Sequence, residues 1–307
     1  MALRQQTESF LAKLDELGAP RYGEQPTPVA RELMEGSAAL YFGPVDPVPF
    51  EDERIPGAGG PIPVRIYRPS AGDGGTLVYF HGGGWVLGSV RTIHGVCSTI
   101  AKESGCTVVS VDYRLAPEHP FPAAVDDAWS ATTWAFEHGH ELGSGPVAVG
   151  GDSAGGNLAA VVAMRARDAD LPLALQLLVY PVTDAGLDTP SYEENATGYW
   201  LTRAGMVWFW DQYVPTGDRF HPDASPLRSG NLAGVAPALV ITAEYDPLRD
   251  EGEAYADRLS EAGVSVKLHR YDGLIHGFFR LPAYIDAAYD ALTESASAVR
   301  EAIARAR

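Results

Sequence analysis

Residues 147–160 have the sequence VAVGGDSAGGNLAA, which indicates the fold more clearly than any other segment. It contains the pattern G-x-S-x-G, with Ser153 as the central residue. A short apolar run precedes the pattern and small residues follow it, which predicts a strand, a sharp turn and a helix. The serine hydroxyl is then expected to stand free at a helix N-terminus, where negative charge is favoured. The alternative is a glycine-rich turn with an ordinary N-cap serine.

Similar apolar runs recur along the chain, with longer segments of helical period between them. Most of these runs are continuously apolar, as strands buried on both faces should be. The alternation predicts an α/β fold, with a mostly parallel central sheet flanked by helices. The predicted strands are residues 64–67, 76–80, 107–111, 147–150, 175–180, 238–243 and 266–271, and the predicted helices are residues 91–104, 121–138, 154–168, 251–263 and 283–305.

Two segments interrupt the alternation. Residues 1–50 have helical spacing and a proline-rich end, and residues 184–225 are aromatic and irregular. We expect both to form a helical cap over the carboxyl ends of the strands, where open α/β sheets bind ligands. The N-terminal segment is then the first part of the cap, residues 51–183 and 226–307 form the core, and the segment between them is a cap insertion.

Three consecutive glycines follow a predicted strand in TLVYFHGGGWVLGS, residues 76–89. If Ser153 attacks a carbonyl carbon, the carbonyl oxygen becomes an oxyanion that needs preorganised N–H donors. A glycine loop supplies backbone N–H groups that no side chain obstructs, together with the residue after the nucleophile. The predicted donors are Gly83, Gly84 and Ala154. The alternative, a phosphate-binding loop, lacks both G-K-[ST] and G-x-G-x-x-G spacing.

A serine hydroxyl needs a base to accept its proton. Of the eight histidines, His276 lies between the last predicted strand and the last predicted helix, on a loop at the carboxyl edge of the sheet. A structural histidine is the alternative interpretation. The other histidines fall in the glycine loop, in predicted helices or cap loops, in a proline-rich turn or inside a strand: His81, His94, His119, His138, His140, His221 and His269.

The base in turn needs an acid that orients it. The segment ALVITAEYDPLRDEG, residues 238–252, offers Glu244, Asp246 and Asp250 after a predicted strand. Asp246 is favoured because Pro247 stiffens the turn after it, whereas Asp250 suits the start of the next helix. The chain order of serine, aspartate and histidine is the order expected of α/β hydrolases.

Five motifs together resemble those of the hormone-sensitive-lipase family of carboxylesterases, the bacterial family IV esterases. The resemblance spans about residues 76–280 and implies an α/β-hydrolase fold with a helical cap and the hydrolysis of short-chain carboxylic esters. It also implies a triad of Ser153, Asp246 and His276, with the three donors above as the oxyanion hole. The motifs are HGGGW (81–85), YRLAPEHPFPAAVDD (113–127), GGDSAGGNLAA (150–160), YDPLRDEG (245–252) and HGFF (276–279).

Two further groups of residues carry weaker predictions. Four aromatic residues near the predicted site or in the cap insertion are our candidates for substrate binding: Trp85, Tyr180, Tyr199 and Trp200. In the 113–127 motif, Arg114, Glu118 and Asp126 are expected to form a buried polar network that supports the glycine loop.

Composition limits the partners and the compartment. The net charge of −17 argues against nucleic acid and anionic membranes as partners. No apolar run approaches the roughly 20 residues needed to cross a bilayer, and the N-terminus has no signal-peptide block, which predicts a cytoplasmic protein. The two cysteines are expected to be reduced thiols. The excess of acidic residues indicates an ordinary solvated surface. The alternative is a surface adapted to high salt.

The leading hypothesis is a serine esterase that acts on a small-molecule ester with short-to-medium acyl chains and needs no metal or organic cofactor. An amidase, peptidase or acyltransferase with the same triad is the second hypothesis. A ligand receptor on an inactive hydrolase scaffold is the third, because the gibberellin receptors are similar to this family. Such a receptor is expected to lose a triad residue, and all three are present here. A homodimer is compatible with the resemblance, and the sequence leaves the oligomeric state open.

Overall fold

One eight-stranded sheet runs through the computed structural model, which describes residues 2–46, 48–70 and 74–307. The strand order is β1-β2-β4-β3-β5-β6-β7-β8. The pairs β1–β2 and β2–β4 are antiparallel, and all the other neighbouring pairs are parallel. The predicted α/β architecture with a mostly parallel sheet is therefore confirmed. The strands are β1 Phe50–Ile55, β2 Ile62–Tyr67, β3 Thr76–Phe80, β4 Thr107–Val111, β5 Val147–Asp152, β6 Leu173–Val179, β7 Ala238–Tyr245 and β8 Val266–Ile275.

Helices cover both faces of the sheet, and among the described helices none is long and apolar enough to cross a lipid bilayer. Helices α3 and α10 pack on one face, and α4, α6 and α9 pack on the other. Alternate residues of β5 accordingly pack into different cores. Val149 packs on the face covered by α4, α6 and α9, and Ala148 packs on the face covered by α3 and α10. The helices are α1 Gln5–Glu16, α2 Thr27–Phe42, α3 His94–Ser104, α4 Ala123–Glu137, α5 Gly139–Leu142, α6 Ala154–Asp168, α7 Pro190–Glu194, α8 Arg203–Tyr213, α9 Arg249–Glu261 and α10 Ala287–Arg305.

Strand β1 is the strand that the apolar pattern did not predict. Its sequence is FEDERI, and all of its residues except Ile55 are exposed. It pairs antiparallel with β2 at the edge of the sheet, where Arg65 binds Asp52 through two hydrogen bonds of 2.6 and 2.8 Å. Edge strands often carry charged side chains, because charge opposes pairing with another chain. The strand therefore lacks the apolar signal that marks the buried ones.

The two segments predicted to form a cap meet through aromatic rings. Helices α1 and α2 lie in the N-terminal segment, and α7 and α8 lie in the insertion. The ring of Phe10 lies 5.4 Å from that of Trp200, and the ring of Tyr22 lies 5.3 Å from that of Phe209. Helix α1 is also attached to the core, since the Thr7 hydroxyl donates to the Gly273 carbonyl at 3.0 Å. The domain boundaries themselves remain a prediction.

Candidate active site

Ser153 occupies the turn between β5 and α6. Its backbone is in the left-handed region, with φ 58° and ψ −118°, which costs an L-residue on the order of 1–3 kcal/mol. Glycines make the turn possible, because a Cβ at Gly151 would overlap the Gly155 backbone and a Cβ at Gly155 would overlap the Phe80 carbonyl. The Ser153 N–H donates to the Val179 carbonyl at 2.8 Å, which holds the strained turn against β6.

His276 and Asp246 complete a hydrogen-bonded chain with this serine. The His276 Nε2 lies 3.0 Å from the Ser153 Oγ, and the His276 Nδ1 lies 2.7 Å from the Asp246 Oδ2. Asp246 is fully buried, and its Oδ1 accepts the Leu248 N–H at 2.9 Å, which fixes the carboxylate. The three side chains come from the ends of β5, β7 and β8. Such a chain activates a serine hydroxyl as a nucleophile.

The other carboxylates considered for this position serve different partners. Asp250 accepts the Ser191 N–H at 2.7 Å and the Arg249 Nε at 2.8 Å. Glu244 accepts the Gly273 N–H at 2.7 Å. Of the three acids, the structure brings only Asp246 to His276.

Tyr180 packs against the imidazole of His276. The two ring centroids are 4.4 Å apart, and Tyr180 is buried directly after β6 with a φ of 34°. Burial raises the pKa of Tyr180 well above its ordinary value, and the nearby Asp152 carboxylate adds to this effect, so the phenol stays neutral. Tyr180 is one of the residues predicted to bind substrate, and in the structure it is buried against the ring of His276.

The glycine loop presents unobstructed N–H groups beside Ser153. Gly83 and Gly84 have φ values of +122° and +61°, which L-residues rarely adopt. The Gly82 N–H is already used, because it donates to the Asp152 Oδ1 at 2.9 Å. Among the described residues, the N–H groups of Gly83, Gly84 and Ala154 donate to no other protein group. They therefore remain available to an oxyanion.

The cap lies directly on this loop. A Cβ at Gly84 would overlap the ring of Phe209, which is on α8. We expect Gly84→Ala to lower kcat for a soluble ester by about 100-fold, because overlap with the ring and the positive φ both displace the loop donors. Steady-state kinetics with an aryl ester measures this.

The control combines Gly84→Ala with Phe209→Ala. The second substitution removes the overlap with the ring but leaves the backbone strain at residue 84. We expect the double variant to recover part of the lost kcat. An unchanged kcat in Gly84→Ala would contradict the assignment of this loop to catalysis.

A cavity of about 290 Å³ lies under the cap. Neither Ser153 nor His276 lines it, but three of its lining residues lie close to positions next to them or to the glycine loop. Leu87 follows the glycine loop, Trp200 packs against Gly277, and Arg280 lies beside Asp152. The lining residues are Leu14, Leu17, Gly18, Ala19, Pro20, Arg21, Tyr22, Gln25, Ala30, Leu33, Met34, Ser37, Ala38, Tyr41, Phe42, Leu87, Thr92, Trp200 and Arg280.

Of the four aromatic residues predicted to bind substrate, Trp200 alone is in this lining. Trp85 is fully buried and stacks on Tyr213 with 4.0 Å between ring centroids. Tyr199 packs against Tyr245 at 5.2 Å. The helical spacing of residues 1–50 predicts a cap over this edge of the sheet, but it does not identify which residues of α1 and α2 line the cavity.

The polar network expected around Arg114 is not formed. Arg114 instead binds Asp127, with its Nη2 2.8 Å from the Asp127 Oδ1. Glu118 pairs with Arg31 at 2.7 Å, and Asp126 lies 3.4 Å from Arg165. Asp126 and Asp127 are neighbours on α4, so their side chains point in different directions, and only the second faces the strand end that carries Arg114.

His81 supports the glycine loop. Its ring stacks on Tyr113 with 4.3 Å between centroids, and its Nδ1 lies 2.8 Å from the Gly82 carbonyl. Burial lowers the pKa of His81, so the ring is neutral near pH 7. In the described part of the chain, no group of three His, Cys, Asp or Glu side chains is arranged to hold a metal ion.

Comparisons with known proteins agree with this geometry. The alpha/beta hydrolase fold family matches residues 77–280. The chain is 46% identical to the carboxylic ester hydrolase LipN of Mycobacterium tuberculosis, over 90% of this chain and 76% of that protein. It is 39% identical to the ethyl acetate hydrolase of Pseudomonas putida, over 89% of each chain. The structure of an esterase from Pyrobaculum calidifontis superposes with a TM-score of 0.90 at 42% identity, covering 97% of this chain and 98% of the other.

Proposed function

The chain belongs to the alpha/beta hydrolase fold family, and from this premise we propose that it is a serine carboxylesterase that hydrolyses short-to-medium-chain esters. The observation that carries the proposal is the hydrogen-bonded chain from Ser153 through His276 to Asp246, with distances of 3.0 and 2.7 Å. The names of the relatives, which include a carboxylic ester hydrolase and an ethyl acetate hydrolase, support the same reaction class.

The proposed reaction begins when His276 accepts the Ser153 proton at Nε2 and the serine oxygen attacks the ester carbonyl carbon. Asp246 accepts a hydrogen bond from the Nδ1–H, which fixes the tautomer and stabilises the imidazolium. The C–O bond of the ester then breaks, and the imidazolium donates its proton to the departing alcohol. Water attacks the acyl-enzyme in a second cycle with the same proton transfers, releasing the carboxylic acid and restoring the serine.

The carbonyl oxygen carries the negative charge of each tetrahedral intermediate. We assign Gly83, Gly84 and Ala154 as its donors, since their N–H groups have no other partner among the described residues. Donors of this kind each contribute roughly 3–4 kcal/mol to transition-state stabilisation. The position of Ala154 at the start of α6 adds the positive end of the helix dipole.

The cavity under the cap supports a preference for acyl chains of limited length. Its volume is about 290 Å³, and much of its lining is apolar, with Leu33, Met34 and Leu87 among the side chains. Each methylene that enters such a cavity contributes about 0.8 kcal/mol, which is about fourfold in kcat/KM. Further methylenes must stay in water or strain the cap once the cavity is full.

We expect kcat/KM to rise and then fall along a series of 4-nitrophenyl esters, with the maximum between about four and about eight acyl carbons. Measuring the series from acetyl to palmitoyl, together with emulsified triglyceride, tests this. A maximum at palmitoyl, or a jump in rate when an insoluble phase forms, would contradict the chain-length proposal.

Two further assays separate the esterase from other enzymes that share its triad. Amides with the same acyl groups test for an amidase, and added alcohol as a competing acceptor tests for an acyltransferase. Faster cleavage of the amides, or acyl transfer exceeding hydrolysis, would replace the proposed reaction. Tight ligand binding without turnover of any ester would favour a receptor.

A further inference from the structure

One guanidinium lies deep in the wall of the cavity. Arg280 ends a short 3-10 turn, Phe278–Arg280, that begins two residues after His276. Its side chain is 14% exposed, and it lines the cavity beside Trp200 and near Leu87. The other arginine of the lining, Arg21, is paired with Asp15 at 2.5 Å. Arg280 therefore places a positive charge inside a largely apolar cavity and next to the nucleophile turn.

The pairing of this charge inside the protein is incomplete. The nearest carboxylate oxygen is the Asp152 Oδ2, which lies 3.7 Å from the Arg280 Nε and beyond hydrogen-bond distance. Both atoms are buried, and neither has a hydrogen-bond partner in the described part of the chain. The other oxygen of Asp152 is occupied by the Gly82 N–H at 2.9 Å and the Tyr79 hydroxyl at 3.2 Å. Buried charged groups are normally paired and hydrogen-bonded, and an unmade bond is costly.

The surroundings keep this arginine charged. Burial alone would lower the pKa of Arg280, but the Asp152 carboxylate, together with Tyr22 and Tyr180, offsets this and holds the pKa above its ordinary value. Tyr22 and Tyr180 face the same guanidinium, and the Trp200 ring lies 5.8 Å from its central carbon. The guanidinium also donates a hydrogen bond to the Tyr22 hydroxyl, and the surrounding rings can accommodate the cation, but its Nε–H has no hydrogen-bond partner among the described residues.

We propose that Arg280 determines specificity by binding a free carboxylate of the ester substrate, so that the enzyme prefers half-esters of short dicarboxylic acids to neutral esters of equal length. The proposal rests on the esterase function above. A carboxylate matches the planar fork of one guanidinium. A doubly charged phosphate is disfavoured, because Asp152 already offsets part of the positive charge at this place.

The overall charge of −17 does not argue against this preference. Charges on the protein surface are screened by salt within about 8 Å at physiological ionic strength. A contact inside the cavity is screened much less. We therefore expect the preference to appear mainly in KM and to persist as salt is added.

The test compares two substrates whose acyl chains have equal length, mono-4-nitrophenyl glutarate and 4-nitrophenyl pentanoate. The free carboxyl of the first is ionised at neutral pH, since its ordinary pKa is about 4.3. We expect Arg280→Gln to lower kcat/KM for the glutarate ester by about tenfold or more, and to lower that for the pentanoate ester far less. Arg280→Lys should keep part of the preference, because it keeps the charge but loses the fork.

Arg228→Gln is the matched control. Arg228 also binds a carboxylate, since its Nη2 lies 2.6 Å from the Asp184 Oδ2. It also lies over an aromatic ring, 5.0 Å from the centre of Phe220. Unlike Arg280, it does not line the cavity. We expect it to leave the ratio of the two kcat/KM values unchanged. Equal losses on both esters in Arg280→Gln would assign this residue to supporting Asp152 alone and overturn the proposal.

A second measurement depends neither on an Arg280 variant nor on turnover. Monomethyl glutarate and methyl pentanoate, of which only the first has a free carboxylate, are titrated into the Ser153→Ala protein by calorimetry, and the glutarate half-ester should bind about tenfold more tightly. Equal affinities would overturn the role of Arg280 even if the esterase function holds. Conversely, tighter glutarate binding in a protein that hydrolyses neither ester would retain the carboxylate site and reject the esterase function.

Discussion

Ser153→Ala is expected to lower kcat for a soluble ester by about a millionfold and to abolish covalent labelling by a fluorophosphonate. The reason is that no other atom can form the acyl-enzyme at this turn: the Ser153 Oγ is 3.0 Å from the His276 Nε2, and alanine removes it. Residual hydrolysis should come from the loop donors and substrate binding alone. Labelling followed by peptide mass spectrometry identifies the modified residue, and steady-state kinetics measures the loss.

Ser295→Ala is the matched control for this experiment. Ser295 is a fully buried serine on α10 whose hydroxyl donates to the Ala291 carbonyl at 2.7 Å, away from the active site. Both labelling and kcat should survive its replacement. Labelling that persists in Ser153→Ala would remove the nucleophile assignment, and with it the proposed acyl-enzyme mechanism.

Asp246→Asn is expected to lower kcat by about ten-thousandfold, the loss seen when a triad histidine is held in the wrong tautomer. In this chain the Asp246 Oδ2 accepts from the His276 Nδ1 at 2.7 Å, so that the Nε2 lone pair faces the serine. An asparagine that turns its NH₂ toward the Nδ1 would leave the proton on the Nε2.

Asp250→Asn separates the two acids of this segment. Asp250 binds Arg249 and the Ser191 backbone rather than His276, so we expect a reduced melting temperature and a kcat within about threefold of the parent. A large loss of kcat in Asp250→Asn, with normal turnover in Asp246→Asn, would reverse the assignment of the acid. Thermal unfolding and kinetics on the same preparations distinguish these outcomes.

The local sequence was sufficient to predict the structure around Ser153, because the residues that shape this turn are its immediate neighbours in the chain. The strand, serine and helix of residues 147–160 predict a turn that only small neighbours permit, and the structure has that turn with a φ of 58° at Ser153. Asp246 and His276 could be chosen because each follows a predicted strand, and the carboxyl ends of parallel strands share one edge of the sheet.

The local sequence pattern did not predict the contacts of residues whose neighbours come from distant segments of the chain. Trp85 follows the glycine loop and was expected to face the substrate, but it turns inward onto Tyr213. Arg114 selects Asp127 rather than its neighbour Asp126. In each case the contacting residue belongs to another helix or strand. The spacing of residues in the sequence does not show which side chain will face that element.

Short runs of residue types were therefore enough to predict the α/β architecture, the turn at Ser153 and the carboxylate and histidine that follow two strands. Only the tertiary structure decided what lines the cavity. Helices α1 and α2 close it from the far N-terminus, and Arg280 meets Asp152 across more than a hundred residues. Such contacts depend on the direction of each side chain after packing, and packing is a property of the whole chain.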